Sequence, residues 1–158
     1  MASIPYADYG LLFIGIISAI TAFIQWREQK HRNSIELASG LTAWWAKSCS
    51  NEGDLWGVII YNATSLSFYD IEIKASGNFN PNAKPIQIQA IPPGRFYIEG
   101  KHESDTYDWG FPKEIRDYAH SNYEAIVCSK NHTIRQMRYS DFTNKKWIWS
   151  PERGITSS

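Results

Sequence analysis

The sequence predicts a mainly β protein in which an N-terminal transmembrane helix precedes an antiparallel, immunoglobulin-like β-sandwich with one short helix in a crossover loop. Residues 9–26 form a run of 18 residues without a formal charge, close to the length that crosses a bilayer as a helix. Residues 41–150 contain about eight short apolar or alternating runs separated by turn residues, which is typical of sandwiches. The aromatic share of 15% excludes a mostly disordered chain.

This pattern divides the chain into five parts. In order, we predict an extracytoplasmic tail (residues 1–8), the membrane helix (9–26), a juxtamembrane helix or linker (27–40), the sandwich domain (41–150) and a flexible C-terminal tail (151–158).

The charges that flank the apolar run predict its orientation. Arg27, Lys30 and Arg32 follow the run, and no Lys or Arg precedes it. The positive-inside rule therefore places the N-terminus outside and the sandwich in the cytoplasm, as in a single-pass protein of the inner (plasma) membrane. Two alternatives are a secretory signal peptide, which would carry its basic residues before the run, and a buried helix of a soluble protein.

Small residues recur along one side of the predicted membrane helix. Gly15 and Ala19 stand four residues apart, as do Ser18 and Ala22. This spacing allows two membrane helices to approach closely, so these four residues are the predicted docking surface for another membrane subunit or a second copy. The alternative is that small residues are simply common in spanning helices.

The predicted strands follow in order along the soluble domain. They are residues 41–48, 55–62, 67–75, 85–91, 95–100, 122–128, 133–142 and 145–150. The second and third runs are separated by polar turn residues and are expected to form a hairpin. In the third run, strict alternation places Tyr69, Ile71 and Ile73 on one face. Pro112 in the intervening stretch favours a short helix over residues 112–120.

Tryptophan is abundant outside the membrane run. The adjacent residues Trp44 and Trp45 cannot both face the core of one strand, so one of them should lie on the outer surface. Core packing explains most of these side chains, and surplus aromatic residues are typical anchors of interfaces. The candidate interface residues are Trp26, Trp44, Trp45 and Trp149.

The sequence contains no catalytic constellation above background. The four histidines show no i,i+4 pair and there is no C-x-x-C motif, so neither a metal site nor a cofactor is expected. A net charge of zero argues against nucleic-acid binding. Cys49 and Cys128 should be free thiols in the cytoplasm, and the pair could form a disulfide if the topology were reversed. We therefore expect a protein that is not an enzyme.

Three segments resemble a family of small single-pass bacterial membrane proteins, mostly actinobacterial and largely uncharacterised. The segments are residues 27–45, residues 58–75 with the following IPPGRF, and residues 139–154. The matching positions are Asn62, Ser65, Phe68, Tyr69, Asp70, Pro92, Pro93, Gly94, Tyr139, Asp141 and Trp147. Asn144 stands where that family has a turn glycine, and Trp149 where it usually has an arginine. The resemblance implies a cytoplasmic β-sandwich with neither a catalytic residue nor a cofactor.

These features predict a membrane-anchored interaction module, an accessory or structural subunit of a bacterial membrane complex. Its expected partners are the lipid bilayer and either other membrane subunits or a second copy. The alternative is a ligand-sensing or effector protein that oligomerises through its helix, with a site near Tyr107, Trp109 and Phe111.

Overall fold

The computed structural model describes residues 6–50, 53–76, 84–103, 106–126 and 129–158. The chain separates into two compact units, a helical unit that ends at Leu37 and a β unit, Ala38–Ser158.

Helix α1 comprises Tyr6–Ser39 and is unbroken. Residues 27–39, predicted as a juxtamembrane helix or linker, continue α1 as a helix. Neither glycine nor proline occurs between residues 26 and 40 to interrupt it. In the predicted extracytoplasmic tail, residues 6–8 are helical, and residues 1–5 lie outside the described chain. Within the described residues, no helix carries an apolar stretch of the length needed to cross a membrane.

The β unit contains the following strands among its described residues. They are β1 (Leu41–Ser50), β2 (Gly53–Asn62), β3 (Phe68–Ser76), β4 (Ile86–Ile91), β5 (Gly94–Glu103), β6 (Thr106–Trp109), β7 (Lys113–Glu114), β8 (Tyr123–Ile126), β9 (Thr133–Ser140), β10 (Lys146–Ser150) and β11 (Gly154–Ser157).

These strands form two antiparallel sheets, as expected for a β-sandwich. The first sheet has the order β6-β5-β2-β1-β8, and β7 pairs with β5. The second has the order β11-β10-β9-β3-β4. Apolar side chains from both sheets are buried, among them Val58, Ile60, Ile73 and Met137. The mainly β prediction with two antiparallel sheets is confirmed.

The hairpin predicted from residues 55–62 and 67–75 is wrong, because β2 and β3 belong to different sheets. The Asn62 side chain stabilises the turn that carries the chain from one sheet to the other. Its Nδ2 donates to the carbonyl oxygens of Leu66 (2.7 Å) and Ile91 (3.2 Å). Its Oδ1 accepts from the Thr64 backbone N–H at 3.0 Å. A buried amide thus replaces the backbone pairing that a hairpin would provide.

The alternation predicted for β3 holds for Ile71 and Ile73, both buried, but is wrong for Tyr69. The register with β9 shifts between Tyr69 and Glu72, and Asp70 has a φ of 49°. This bulge moves the side chains before it to the opposite face of the sheet. Phe68 is therefore 1% exposed and Tyr69 is 43% exposed.

The short helix predicted over residues 112–120 is also wrong. Lys113–Glu114 form β7, which pairs with Phe96 and Tyr97, and the Ile115 N–H donates to the Arg95 carbonyl at 2.8 Å. Residues 115–122 are turns and bends. Backbone pairing with β5 and the burial of Ile115 outweigh the weak helix signal of Pro112.

The flexible tail predicted for residues 151–158 is wrong for its second half. A turn with Gly154 at φ +66° returns the chain, and Gly154–Ser157 pair with β10 as strand β11. The backbone groups of β10 are thereby paired on both sides, since β9 occupies its other edge.

Candidate interaction site

The predicted docking residues lie on an exposed part of α1. Gly15, Ser18, Ala19 and Ala22 are all exposed, and a Cβ added to Gly15 would meet no atom within 4 Å. Larger apolar side chains surround them and are about half to two-thirds exposed. These are Phe13, Ile14, Ile16, Ile17, Ile20, Phe23, Ile24 and Trp26.

The basic residues after this stretch are exposed as well. The side chains of Arg27, Lys30 and Arg32 all face solvent. The Lys30 ammonium lies 5.4 Å from the Trp26 ring centroid, and the Phe23 and Trp26 rings lie 6.0 Å apart. At the end of the apolar stretch, the exposed Trp26 ring thus lies next to both the Phe23 ring and the Lys30 ammonium.

Trp45 and Trp149 face the interior of the β unit to different extents. Trp45 is 3% exposed, and its indole Nε1 donates to the Thr133 carbonyl at 3.4 Å, which links β1 to β9. Trp45 is therefore a core residue and has no surface for a partner in this fold. Trp149 is half-buried and is paired with Met137 of β9.

The residues that carry the family resemblance stabilise turns and the core. Asp141 is buried, and its Oδ1 accepts from Thr143 (backbone N–H, 2.8 Å; hydroxyl, 2.6 Å) and the Lys145 N–H (3.1 Å). Its Oδ2 accepts from the Trp147 Nε1–H at 2.9 Å. Burial acts to raise the pKa of Asp141, but these hydrogen bonds outweigh it and lower the pKa below its ordinary value. This arrangement is structural, because both carboxylate oxygens accept hydrogen bonds that stabilise the turn and hold the Trp147 ring.

A second aromatic group surrounds His132. The His132 ring stacks on Trp56 with a centroid separation of 4.6 Å and meets Trp45 edge-on at 5.2 Å. Burial lowers the pKa of His132. The described residues contain no cluster of three His, Cys, Asp or Glu side chains that could hold a metal ion. His132 is therefore a side chain packed against two tryptophan rings in this fold.

The outer face of the first sheet carries a site that the sequence did not indicate. The guanidinium carbon of Arg95 lies 4.2 Å from the Tyr61 ring centroid and 5.0 Å from that of Tyr118. The Arg95 Nε and the Trp44 indole Nε1 are both buried without a hydrogen-bond partner. Cross-strand pairing joins Trp44 to Ile59 and Arg95 to Tyr61, so both donors lie on one face of the sheet.

Residues 110–121, the cover segment, pack over this face. Ile115 belongs to a buried cluster with Ala46, Ile59 and Tyr97, against which Trp44, Tyr118 and Tyr123 pack. The Gly110 N–H donates to the Glu99 carbonyl at 2.7 Å and ties the segment to β5. In the sequence, Arg95 is only a polar strand residue after a turn, so its two aromatic neighbours could not be inferred.

Two residues proposed for a ligand site near this segment are described. Phe111 is 89% exposed, and the Trp109 Nε1 donates to the Lys84 carbonyl at 2.8 Å. The Tyr107 side chain lies outside the described part of the chain. Cys49 is an exposed free thiol, and Cys128 is outside the described residues.

Comparisons with protein-family models, with curated proteins and with solved structures found no match to this chain. The family resemblance therefore stays a prediction, and the function must be argued from the geometry.

Proposed function

We propose that this protein is a membrane-anchored interaction module, an accessory or structural subunit of a bacterial membrane complex. One observation carries the proposal. Helix α1 exposes eight large apolar side chains among the 14 positions from Phe13 to Trp26, a surface that a protein in water does not leave uncovered.

The size of this surface indicates a strong drive toward an apolar environment. Complete burial of a large apolar side chain stabilises by roughly 1.5–3 kcal/mol. The exposed side chains between Phe13 and Trp26 would together contribute on the order of 10 kcal/mol. A single apolar groove covers one face of a helix, whereas these residues occupy roughly two-thirds of the helix circumference, as in a helix that contacts lipid on most of its sides.

The sequence extends this stretch beyond the described side chains. The uncharged run continues N-terminally to Tyr9, which gives 18 residues or roughly 27 Å of helix. Arg27, Lys30 and Arg32 follow the run, and by the positive-inside rule they support a cytoplasmic location for its C-terminal end. In this proposal the sandwich, of the immunoglobulin-like type predicted above, is cytoplasmic.

The exposed small residues give the helix a second role. Ala19 and Ala22 lie on the same side of α1 as Gly15 and Ser18, and lipid gains little from a surface with short side chains. A partner helix can approach closely there and gain dispersion contacts. We propose that this face docks on another membrane subunit.

Purification of the full chain in mild detergent, followed by quantitative mass spectrometry, tests this function. The wild type should carry a stoichiometric membrane partner. Ala19→Leu should lose it because the added side chain separates the helices. Ile17→Leu, on the opposite side of the helix, is the matched control and should retain it. A wild type that purifies without any stoichiometric partner would contradict the proposal, as would equal behaviour of the two variants.

A ligand-sensing function is the second candidate, and the unpaired donors of Trp44 and Arg95 favour it. Thermal-shift screening of the full chain in detergent with nucleotides, organic acids and amino acids tests this function. A saturable rise in the melting temperature with one chemical class would support ligand sensing. The absence of any shift would count against it.

A further inference from the structure

The two tyrosine rings beside Arg95 stabilise its charge without pairing its Nε–H. The ring faces of Tyr61 and Tyr118 attract the guanidinium cation. Guanidinium N–H groups point outward in the plane of the group, and a ring face offers them no strong acceptor. Arg95 therefore keeps its positive charge between the two rings while its Nε–H remains buried and unpaired.

The acidic side chains near Arg95 are paired with other residues. On the cover segment, Glu114 accepts from Arg116 at 3.3 Å and Asp117 contacts His120 at 2.9 Å. On β5, Glu99 lies 3.5 Å from Lys113. Within the described chain, no carboxylate forms an ion pair with Arg95, so its charge is not neutralised there.

An unpaired buried donor destabilises a fold, and native structures rarely leave one without a reason. Trp44 presents a second such donor on the same face of the sheet. Two unpaired donors on one face, one of them charged, indicate an acceptor that comes from outside the described chain.

The single cation determines which acceptor fits best. A carboxylate carries one negative charge and can accept two parallel N–H bonds from one guanidinium. A phosphate carries up to about two charges near neutral pH and would need a second cation. The neighbouring cations Lys113 and Arg116 are already paired with acids. The geometry therefore favours a carboxylate.

We propose that Arg95, between Tyr61 and Tyr118, is a binding site for a carboxylate group from outside the domain. The carboxylate belongs either to a small organic acid or to an acidic segment of a partner protein. The proposal supplies the ligand class of the second candidate function. It does not depend on the membrane helix, so a failure of membrane insertion would leave it intact.

Side-chain NMR of the ¹⁵N-labelled full chain in detergent micelles tests the site. The probes are succinate, an N-acetylated tetraglutamate amide, phosphate and chloride, all at constant ionic strength. We expect saturable shifts of the Arg95 Nε–H and Trp44 indole N–H signals with succinate or the peptide. The stronger of these two probes identifies the source of the carboxylate. Chloride should produce no saturable shift.

Arg95→Lys keeps the charge but loses the planar pair of donors, so carboxylate binding should weaken about tenfold. The matched control is Arg138→Lys, because Arg138 is half-exposed on the second sheet and lies 3.7 Å from Glu72. This control should bind as the wild type does. Equal weakening in both variants would overturn the proposal, as would tighter binding of phosphate or no saturable shift with either carboxylate. Urea unfolding of Arg95→Lys shows whether the variant is folded.

Discussion

Replacement of Asp141 by Asn should strongly destabilise the β unit although the two side chains have nearly the same shape. One amide oxygen can still accept from Thr143 and Lys145, but it is neutral and accepts more weakly. The amide nitrogen would then face the Trp147 Nε1–H, so a bond of 2.9 Å becomes a contact between two donors. Loss of one bond to a charged group costs about 1.5–3 kcal/mol. With the weakening of the others, we expect a total loss of about 3 kcal/mol.

The pH dependence of this difference follows from the lowered pKa of Asp141. A carboxylate with a depressed pKa in the folded state stabilises the fold above its unfolded pKa, and this stabilisation is lost as pH falls through the folded pKa. The difference between wild type and Asp141→Asn should therefore be constant above about pH 5 and shrink below about pH 4.

Urea unfolding of the full chain in detergent, followed by tryptophan fluorescence at several pH values, measures both effects. Asp117→Asn is the matched control, because Asp117 is exposed. This substitution should change the free energy of unfolding by less than about 0.5 kcal/mol. The reasoning fails if Asp141→Asn is as stable as this control at neutral pH. It also fails if the difference does not shrink on acidification.

Three other substitutions test particular contacts by the same unfolding assay. Gly57→Ala should destabilise by more than about 3 kcal/mol, because its Cβ would lie 2.6 Å from the ring of Tyr97; wild-type stability would contradict this packing. Tyr139→Phe should cost about 1–3 kcal/mol, since its hydroxyl donates to the buried Ala38 carbonyl at 2.7 Å; a neutral effect would mean that water replaces the hydroxyl. Asn144 has a φ of 63°, so Asn144→Gly should be neutral or slightly stabilising, whereas Asn144→Val should cost about 1–2 kcal/mol; equal midpoints of the two variants would exclude a left-handed turn.

Period-two alternation and turn residues were sufficient to predict most of the strands. They could not predict how the strands pair. The polar stretch after β2 has the composition of a hairpin turn, yet the Asn62 amide connects it to Ile91 on a strand far along the sequence. Such a contact depends on tertiary structure and leaves no local signal.

For a related reason, the sequence could not predict which face of the sheet some single residues occupy. One bulge at Asp70 exchanges the positions of Phe68 and Tyr69, and strict alternation cannot register it. The Arg95 site was missed because it requires three separate parts of the chain, β2, β5 and the cover segment. By contrast, the argument that Trp44 and Trp45 must face opposite sides needed only strand geometry. It correctly predicted that the two side chains lie on opposite faces of the sheet. Trp45 is in the core, but Trp44 is half-buried against the cluster that contains Ile115 of the cover segment and is not on the outer surface.

Labelling of Cys49 tests the central proposal most directly, namely that α1 crosses the membrane and leaves the sandwich in the cytoplasm. Cys49 is an exposed free thiol on β1, and a Cys128→Ser background makes it the single reactive position in the sequence. In intact bacterial spheroplasts, a membrane-impermeant maleimide should leave Cys49 unlabelled, and detergent permeabilisation should expose it to the reagent. After alkaline carbonate extraction the protein should remain in the membrane pellet. Labelling in intact spheroplasts, or release into the carbonate supernatant, would contradict the account.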